Sequence, residues 1–443
     1  MARPERPLRT RASGAPPPPP ETARRRSRAQ PIRRPQPLRL RARLRSLLGS
    51  STEVVRQSLV SLTLNSSTSL VAGAVLGAIT DTFERFPGLL VLVPAAIGLR
   101  GNVFSALGNR LSTAIHLGNF RMSLRRQTLM GQNVAASLVL TLMLSLVLAV
   151  VAKTVAVALG VMNTISILDL ALISIVGGAI ASVVVLVATM LLAAGSVKYG
   201  WDLDNLIAPL VSTLGDVLTL PALFLASLLL DIELLSQVLG VTVVALVLVL
   251  FAAAWRSKQE VLRRVVRESL PILFAAACLS TMAGIAIEKR LGTFSTYPAL
   301  LILFPAFISS AGALGGILSS RLSTKLHLGV MTPASFPNRD ARADGLLILL
   351  LAVPIYLFNA VGAHFVGRLL GQASPGLLDM ALVSLIGGAV AVLFVIAVAY
   401  YGTIAAVRFG ADPDTYGIPL VTSSVDFVGA LALIVVIVGV GIA

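Results

Sequence analysis

From about residue 59 to the C-terminus of this 443-residue chain, apolar stretches of roughly 18 to 25 residues follow one another with only short polar breaks. A helix rises about 1.5 Å per residue, so each stretch spans the ~30 Å hydrocarbon core of a bilayer. In that solvent every backbone polar group must find its partner within the protein, which confines such a chain to bundled α-helices. The stretches fall at 59–80, 88–109, 132–153, 170–194, 206–230, 237–255, 270–287, 298–319, 345–366, 380–400 and 415–441, eleven in all. Composition agrees: 56% of residues are hydrophobic, 13% are charged, and 36 glycines suit closely packed membrane helices. One cysteine, Cys278, excludes an internal disulfide and a multi-cysteine metal site. No HExxH, GxSxG or phosphate-binding glycine loop occurs, so the reading is of a non-enzyme without a cofactor. The expected fold class is an all-α, polytopic membrane protein.

The formal charge of +16 is unevenly placed. Residues 1–50 hold fourteen arginines against Glu5 and Glu21, a surplus of twelve. The first part of this tail, with prolines from Pro16 to Pro20, lacks hydrophobic periodicity and is expected to be disordered, and the proline run argues against a transit peptide. Its end differs, because Leu40, Leu44, Leu47 and Leu48 recur at helical spacing among arginines, as in a short amphipathic helix on anionic lipid. No aromatic residue interleaves the arginines, so no nucleic-acid partner is expected. With the N-terminus cytoplasmic, inner loops hold fifteen lysines and arginines and outer loops five. That bias obeys the positive-inside rule and sets the C-terminus outside, in a plasma or inner membrane, with anionic headgroups as partners of the inner face.

Compared with itself at a shift of 211, the sequence repeats. Leu92-Val-Pro94-Ala95 matches Leu303-Phe-Pro305-Ala306, Arg110-Leu-Ser-Thr113 matches Arg321-Leu-Ser-Thr324, and Gly73 matches Gly284. At a shift of 210, Gly177-Gly178 matches Gly387-Gly388, and Pro209 to Asp216 matches Pro419 to Asp426. Each half is a copy of one five-helix unit. Two directly joined copies would be inverted, but the span at 237–255 belongs to neither and restores a common direction. The expected layout is a tail at 1–50, a first repeat at 51–236, a connecting helix and basic segment at 237–268, and a second repeat at 269–443. Two parallel repeats within one chain form a pseudo-dimer about an axis along the membrane normal, which is compatible with a monomer.

Loops and tail absorb all acids but Asp216 and Asp426. An aspartate at the centre of a membrane helix costs roughly 2.5–3.5 kcal/mol on insertion scales, so it needs a partner or a purpose. Asp216 follows Asn205 by eleven residues, which sets it roughly 16 Å deep, near the midplane. Gly215, Ser212, Thr213 and Thr219, with Thr422 to Ser424 in the second repeat, offer oxygens and room beside the acids. Two carboxylates about 8 Å apart at an effective dielectric near 20 repel by roughly 2 kcal/mol. One divalent cation cancels that, and Mg²⁺ suits few carboxylates because it keeps several waters. Protons or monovalent cations would also serve, as would structural pairing with Arg100. Asp202 with Asp204, and Asp412 with Asp414, stand at the inner ends of the same helices, as an acidic mouth or as helix caps.

The run Leu92-Val-Pro94-Ala95-x-x-Gly98-Leu-Arg100-Gly101-Asn102, leading into Arg110-Leu-Ser112-Thr113, resembles the second-helix signature of the MgtE-type divalent cation transporters. Asp204-Asn205-x-x-x-Pro209-x-x-x-x-x-Gly215-Asp216 resembles that family's last-helix motif. Two such domains in one chain are most similar to the family's solute-carrier branch. The resemblance implies transport of divalent cations, with Mg²⁺ as the transported ion, Asp216 and Asp426 as membrane cation ligands, and Asn102 near the pathway. The second copy departs from the pattern with Ala313 at the place of Asn102, Ala311 at Arg100, Val425 at Gly215 and Thr415 at Asn205, which implies an asymmetric pathway. Only about fifty residues precede the first repeat, so gating by a large leading cytosolic region is not expected. The competing readings are a proton- or sodium-coupled transporter of another small cation and a membrane scaffold or sensor.

Overall fold

The computed structural model describes residues 52–116, 118, 120–161, 163–199, 203–327, 331–408 and 418–442, with the side chains at 52–54, 116, 203–209, 212, 233–235, 327 and 418–420 outside the description. The arginine-rich tail with its short helix, Asp202, Asp412 and Asp414 therefore lie outside the described residues, and Asp204 is described by its backbone alone.

The apolar runs fold as α1 (Thr52–Ala78), α3 (Leu89–His116), α4 (Leu129–Ala158), α5 (Ile167–Tyr199), α6 (Leu203–Ser227), α7 (Glu233–Trp255), α8 (Glu260–Glu288), α10 (Ala299–His327), α11 (Arg339–Leu369), α12 (Leu377–Arg408) and α13 (Ile418–Val440). Among the described residues these eleven helices are long and apolar enough to cross a membrane, matching the eleven stretches of the sequence. Two short helices, α2 (Thr80–Arg85) and α9 (Leu291–Thr296), precede α3 and α10 and are offset by the same 211 residues. Each turns the chain around one anchored ring, Phe83 and Phe294, both 1% exposed.

The ends of the helices follow local chemistry. Thr128 caps α4 by accepting the Gly131 amide at 3.1 Å, and Asn338 caps α11 through the Ala341 amide at 2.9 Å. Beyond both helices the chain passes through a left-handed glycine, Gly160 at φ +78° and Gly371 at φ +69°, which stops the helix without a Cβ penalty.

Packing joins the halves by exchange. Helix α1 lies against α10 and α11 of the second half, and α8 lies against α3 and α4 of the first. Each still touches the last helix of its own half, α1 on α6 and α8 on α13. Glycines permit the exchange. A Cβ at Gly73 would collide with the Ile302 carbonyl of α10, and one at Gly284 with the Val91 carbonyl of α3. These are the same contact shifted by 211 residues, and with no side chain between them the backbones meet directly. Helix α7 packs mainly on α4 and α5, with a smaller contact to α8, and it turns most of its surface outward. Exposed Leu191, Val249, Leu393 and Val435 belong to an apolar outer surface suited to lipid.

Candidate functional site

Asp216 sits midway along α6, 6% exposed, where α6 meets α1 and α10. Its Oδ2 accepts from Ser69 Oγ of α1 and from Ser309 Oγ of α10, both at 3.4 Å. Ser309 is itself held by Asn65, whose Nδ2 donates to it at 3.0 Å. The polar seam continues alongside: the hydroxyls of Ser66 and Ser310 lie 3.0 Å apart, and Asn359 Nδ2 donates to Ser310 Oγ at 2.9 Å. A buried carboxylate thus rests in a hydroxyl and amide network drawn from both halves, as buried polar groups require.

Asp426 on α13 stands in the corresponding place with different company. Its Oδ2 accepts from Ser280 Oγ of α8 at 2.7 Å. Gly98 of α3, the counterpart of Ser309, brings its Cβ position within 3.8 Å of the same oxygen and offers no hydrogen bond. Beside Gly98 and Ser280 lies a small cavity, lined also by Asn102, Ala276 and Ser423, with room for about one water. Where the first seam has Asn65, Ser66, Ser310 and Asn359, this one has Ala276, Ala277, Leu99 and Leu148.

Several expected donors turn elsewhere. Thr219 Oγ1 donates to its own helix at Gly215 O, 2.5 Å, and Thr213 accepts from Thr68 at 3.4 Å. The hydroxyls that touch the acids come instead from α1, α8 and α10. Ser69 and Ser280 are equivalent under the 211-residue shift, so the repeat holds a signal for them. Ser309 carries no such signal, because its counterpart is glycine. Asn102 lies not at Asp216, the acid of its own half, but on the cavity beside Ser280 and Gly98, the neighbours of Asp426. The exchanged packing causes this, since α3 faces α8. Arg100 pairs with neither aspartate: its Nη1 donates to the Ala96 carbonyl.

Among the described residues no three His, Cys, Asp or Glu side chains gather to chelate a metal. The chemistry available is two separated carboxylates, hydroxyls, one amide and space for water. That set suits a hard, partly hydrated cation in passage better than a resident, fully coordinated metal.

The sequence model of the MgtE family, described as divalent cation transporters, matches residues 93–226 and 304–436. Solute carrier family 41 member 2 of Homo sapiens is 25% identical over 87% of this chain and 70% of its own length. The Xenopus laevis member 2 is 26% identical over 87% and 71%, and the Mus musculus solute carrier family 41 member 3 is 25% identical over 81% and 77%. No solved structure matches the chain.

Proposed function

Because the chain belongs to the MgtE family of divalent cation transporters, and so transports rather than catalyses, we propose that it carries Mg²⁺ along the seam between its halves, balanced by Asp216 and Asp426. The observation that carries this reading is the pair of buried carboxylates, one from each half, each accepting from a hydroxyl of the first helix of its own half. One divalent cation between them offsets their repulsion, while serine hydroxyls and water complete its shell. The ion passes between α6 and α13, with Asn102 meeting it on the Asp426 side. Asp202, Asp204, Asp412 and Asp414 gather cations at the inner mouth of the same two helices.

The chain works as two parallel repeats, 51–236 and 269–443, joined by α7 and the basic segment after it, and one chain makes a complete pathway. Its N-terminus is cytoplasmic and its C-terminus outside. The inner arginines hold anionic headgroups, a reading supported at the end of α7, where Arg267 lies 4.8 Å over the Trp255 ring and Trp255 stacks near Phe251. Flux of Mg²⁺, Co²⁺, Mn²⁺ and Ca²⁺ into proteoliposomes, with and without ion gradients, tests the proposal. Asp216→Ala inserts normally and loses Mg²⁺ flux; a purified variant that carries Mg²⁺ at the normal rate sinks the assignment.

A further inference from the structure

Arg100 heads the bulkiest of the fully buried side chains. One of its donors reaches the Ala96 carbonyl, but Nε and Nη2 have no hydrogen-bond partner, and no acid pairs with it. A guanidinium keeps its charge at working pH, and burying it without a counter-charge costs several kcal/mol. Helix α4 presents Asn133, Ser137, Thr141 and Ser145 at four-residue intervals, hence along one face. All four are at most 2% exposed, and each has a side-chain oxygen without a partner. Buried threonines elsewhere in this protein return their hydroxyls to the preceding turn, as Thr189 does to Val185 O at 2.8 Å. This ladder does not. Ser182 of α5, one turn beyond Gly178, is also buried and unpartnered. Arg100 Nη2 and Ser145 Oγ converge on Gly178, 2.8 and 2.6 Å from where its Cβ would stand.

The second half is an internal control. The Ser174 hydroxyl donates to Ser145 O and the Ser384 hydroxyl to Tyr356 O, which fixes Tyr356 as the counterpart of Ser145. There the ladder reads Ile348, Ala352 and Tyr356, opposite Val392 and Ala311, and Tyr356 packs on Phe307 with ring centroids 4.9 Å apart. The same space is filled by apolar and aromatic groups. At the ladder's far end Arg321 and Lys325 are neutralised by Asp344, with Arg321 Nη2 at 2.7 Å. The first half has Arg110, Ala114 and Asn133 at those positions, and Arg110 Nε is unpartnered. Among the described residues, two guanidiniums and a row of hydroxyls therefore lie along α3 with no carboxylate bonded to either guanidinium.

Water would satisfy the loose hydrogen bonds and leave the charge; an anion does both. We propose that the first half holds a small inorganic anion of halide size at Arg100, with Ser145 and Ser182 as hydroxyl donors, enclosed by α3, α4 and α5 and away from the Asp426 cavity, which opens on the other side of α3. The anion acts as a fixed counter-charge that screens Arg100 from the cation route.

The test is thermal melting of the purified full-length protein in chloride, bromide or gluconate at fixed ionic strength, together with bromide anomalous scattering from crystals. Halide raises the melting temperature by about 2–4 °C over gluconate, saturably, as a ligand of the native state does. Arg100→Gln abolishes that dependence, Ser145→Ala raises the half-saturating halide concentration roughly tenfold, and bromide appears beside Arg100. Melting indifferent to the anion, halide dependence that survives both substitutions, or ordered water alone at Arg100 overturns the proposal. If Arg100→Gln does not fold, Ser145→Ala and the bromide position decide it.

Discussion

Replacing Gly284 by alanine probes the junction of the halves at its tightest point. The added methyl would stand 2.8 Å from both the carbonyl carbon and the Cα of Val91, and closer still to the carbonyl oxygen. Carbon atoms rest at about 3.5–4.0 Å, so α8 and α3 must part by roughly 0.7–1.2 Å. A gap of that size forfeits about a quarter to a half of the dispersion energy across the touching atoms, and overpacking of this kind costs about 1–3 kcal/mol. Ser280 lies one turn away on α8, 2.7 Å from Asp426, so the same displacement bears on the helix that supplies this hydrogen bond. Gly284→Ala is therefore expected to lower the melting temperature in detergent by about 2–6 °C and to reduce Mg²⁺ flux in proteoliposomes. Gly73→Ala repeats the effect beside Ser69 and Asp216. Gly316→Ala, where nothing lies within 4 Å of the new methyl, is the control and leaves both readouts at or above the parent value. Equal melting of the Gly284 and Gly316 variants would refute the close-packed exchange of helices.

Asp344→Asn leaves Arg321 and Lys325 without their shared acid; both are more than a quarter exposed, so a loss of about 1–3 kcal/mol is expected, read as a lower melting temperature. Asn102→Ala removes the amide from the cavity beside Asp426, and it is expected to raise the Mg²⁺ concentration for half-maximal flux by about three- to tenfold without altering yield; an unchanged value removes Asn102 from the pathway. Acidification protonates the carboxylates that balance the cation, so flux falls at low pH. Transport that holds its rate down to about pH 5 contradicts a carboxylate-lined route.

The spans and the two aspartates were legible because both rest on strong physical constraints. A bilayer demands about twenty apolar residues at a time, and an uncompensated carboxylate stands out inside such a run. The repeat was legible because glycine, proline and arginine recur where backbone approach and membrane edges admit few alternatives. What the repeat did not specify is which copy each helix leans on. With α1 packed at home or exchanged, the same two-fold relation holds, so the sequence alone does not tell that Asn102 lines the cavity beside Ser280 rather than the surroundings of Asp216. Ser69, Ser280 and Ser309 carry little signal in the sequence, because serine is common in membrane helices and often returns its hydroxyl to the preceding turn. Only the packed structure shows which hydroxyls point at an acid. The ladder from Asn133 to Ser145 exists in the sequence only as a four-residue spacing, which acquires meaning from oxygens left unpartnered in the packed structure.

The exchange of α1 and α8 bears on how the protein is made. Asn65 and Ser309 bond across 244 residues of sequence, so α1 waits for α10, the eighth of the eleven described spans, before its polar face is covered. Until then its serines and asparagine face lipid or a provisional neighbour, and the first five spans do not form a finished unit. Covering that polar face takes helices of both repeats. The two halves, synthesised as separate polypeptides in one membrane, should each be short-lived alone and rescue one another when present together.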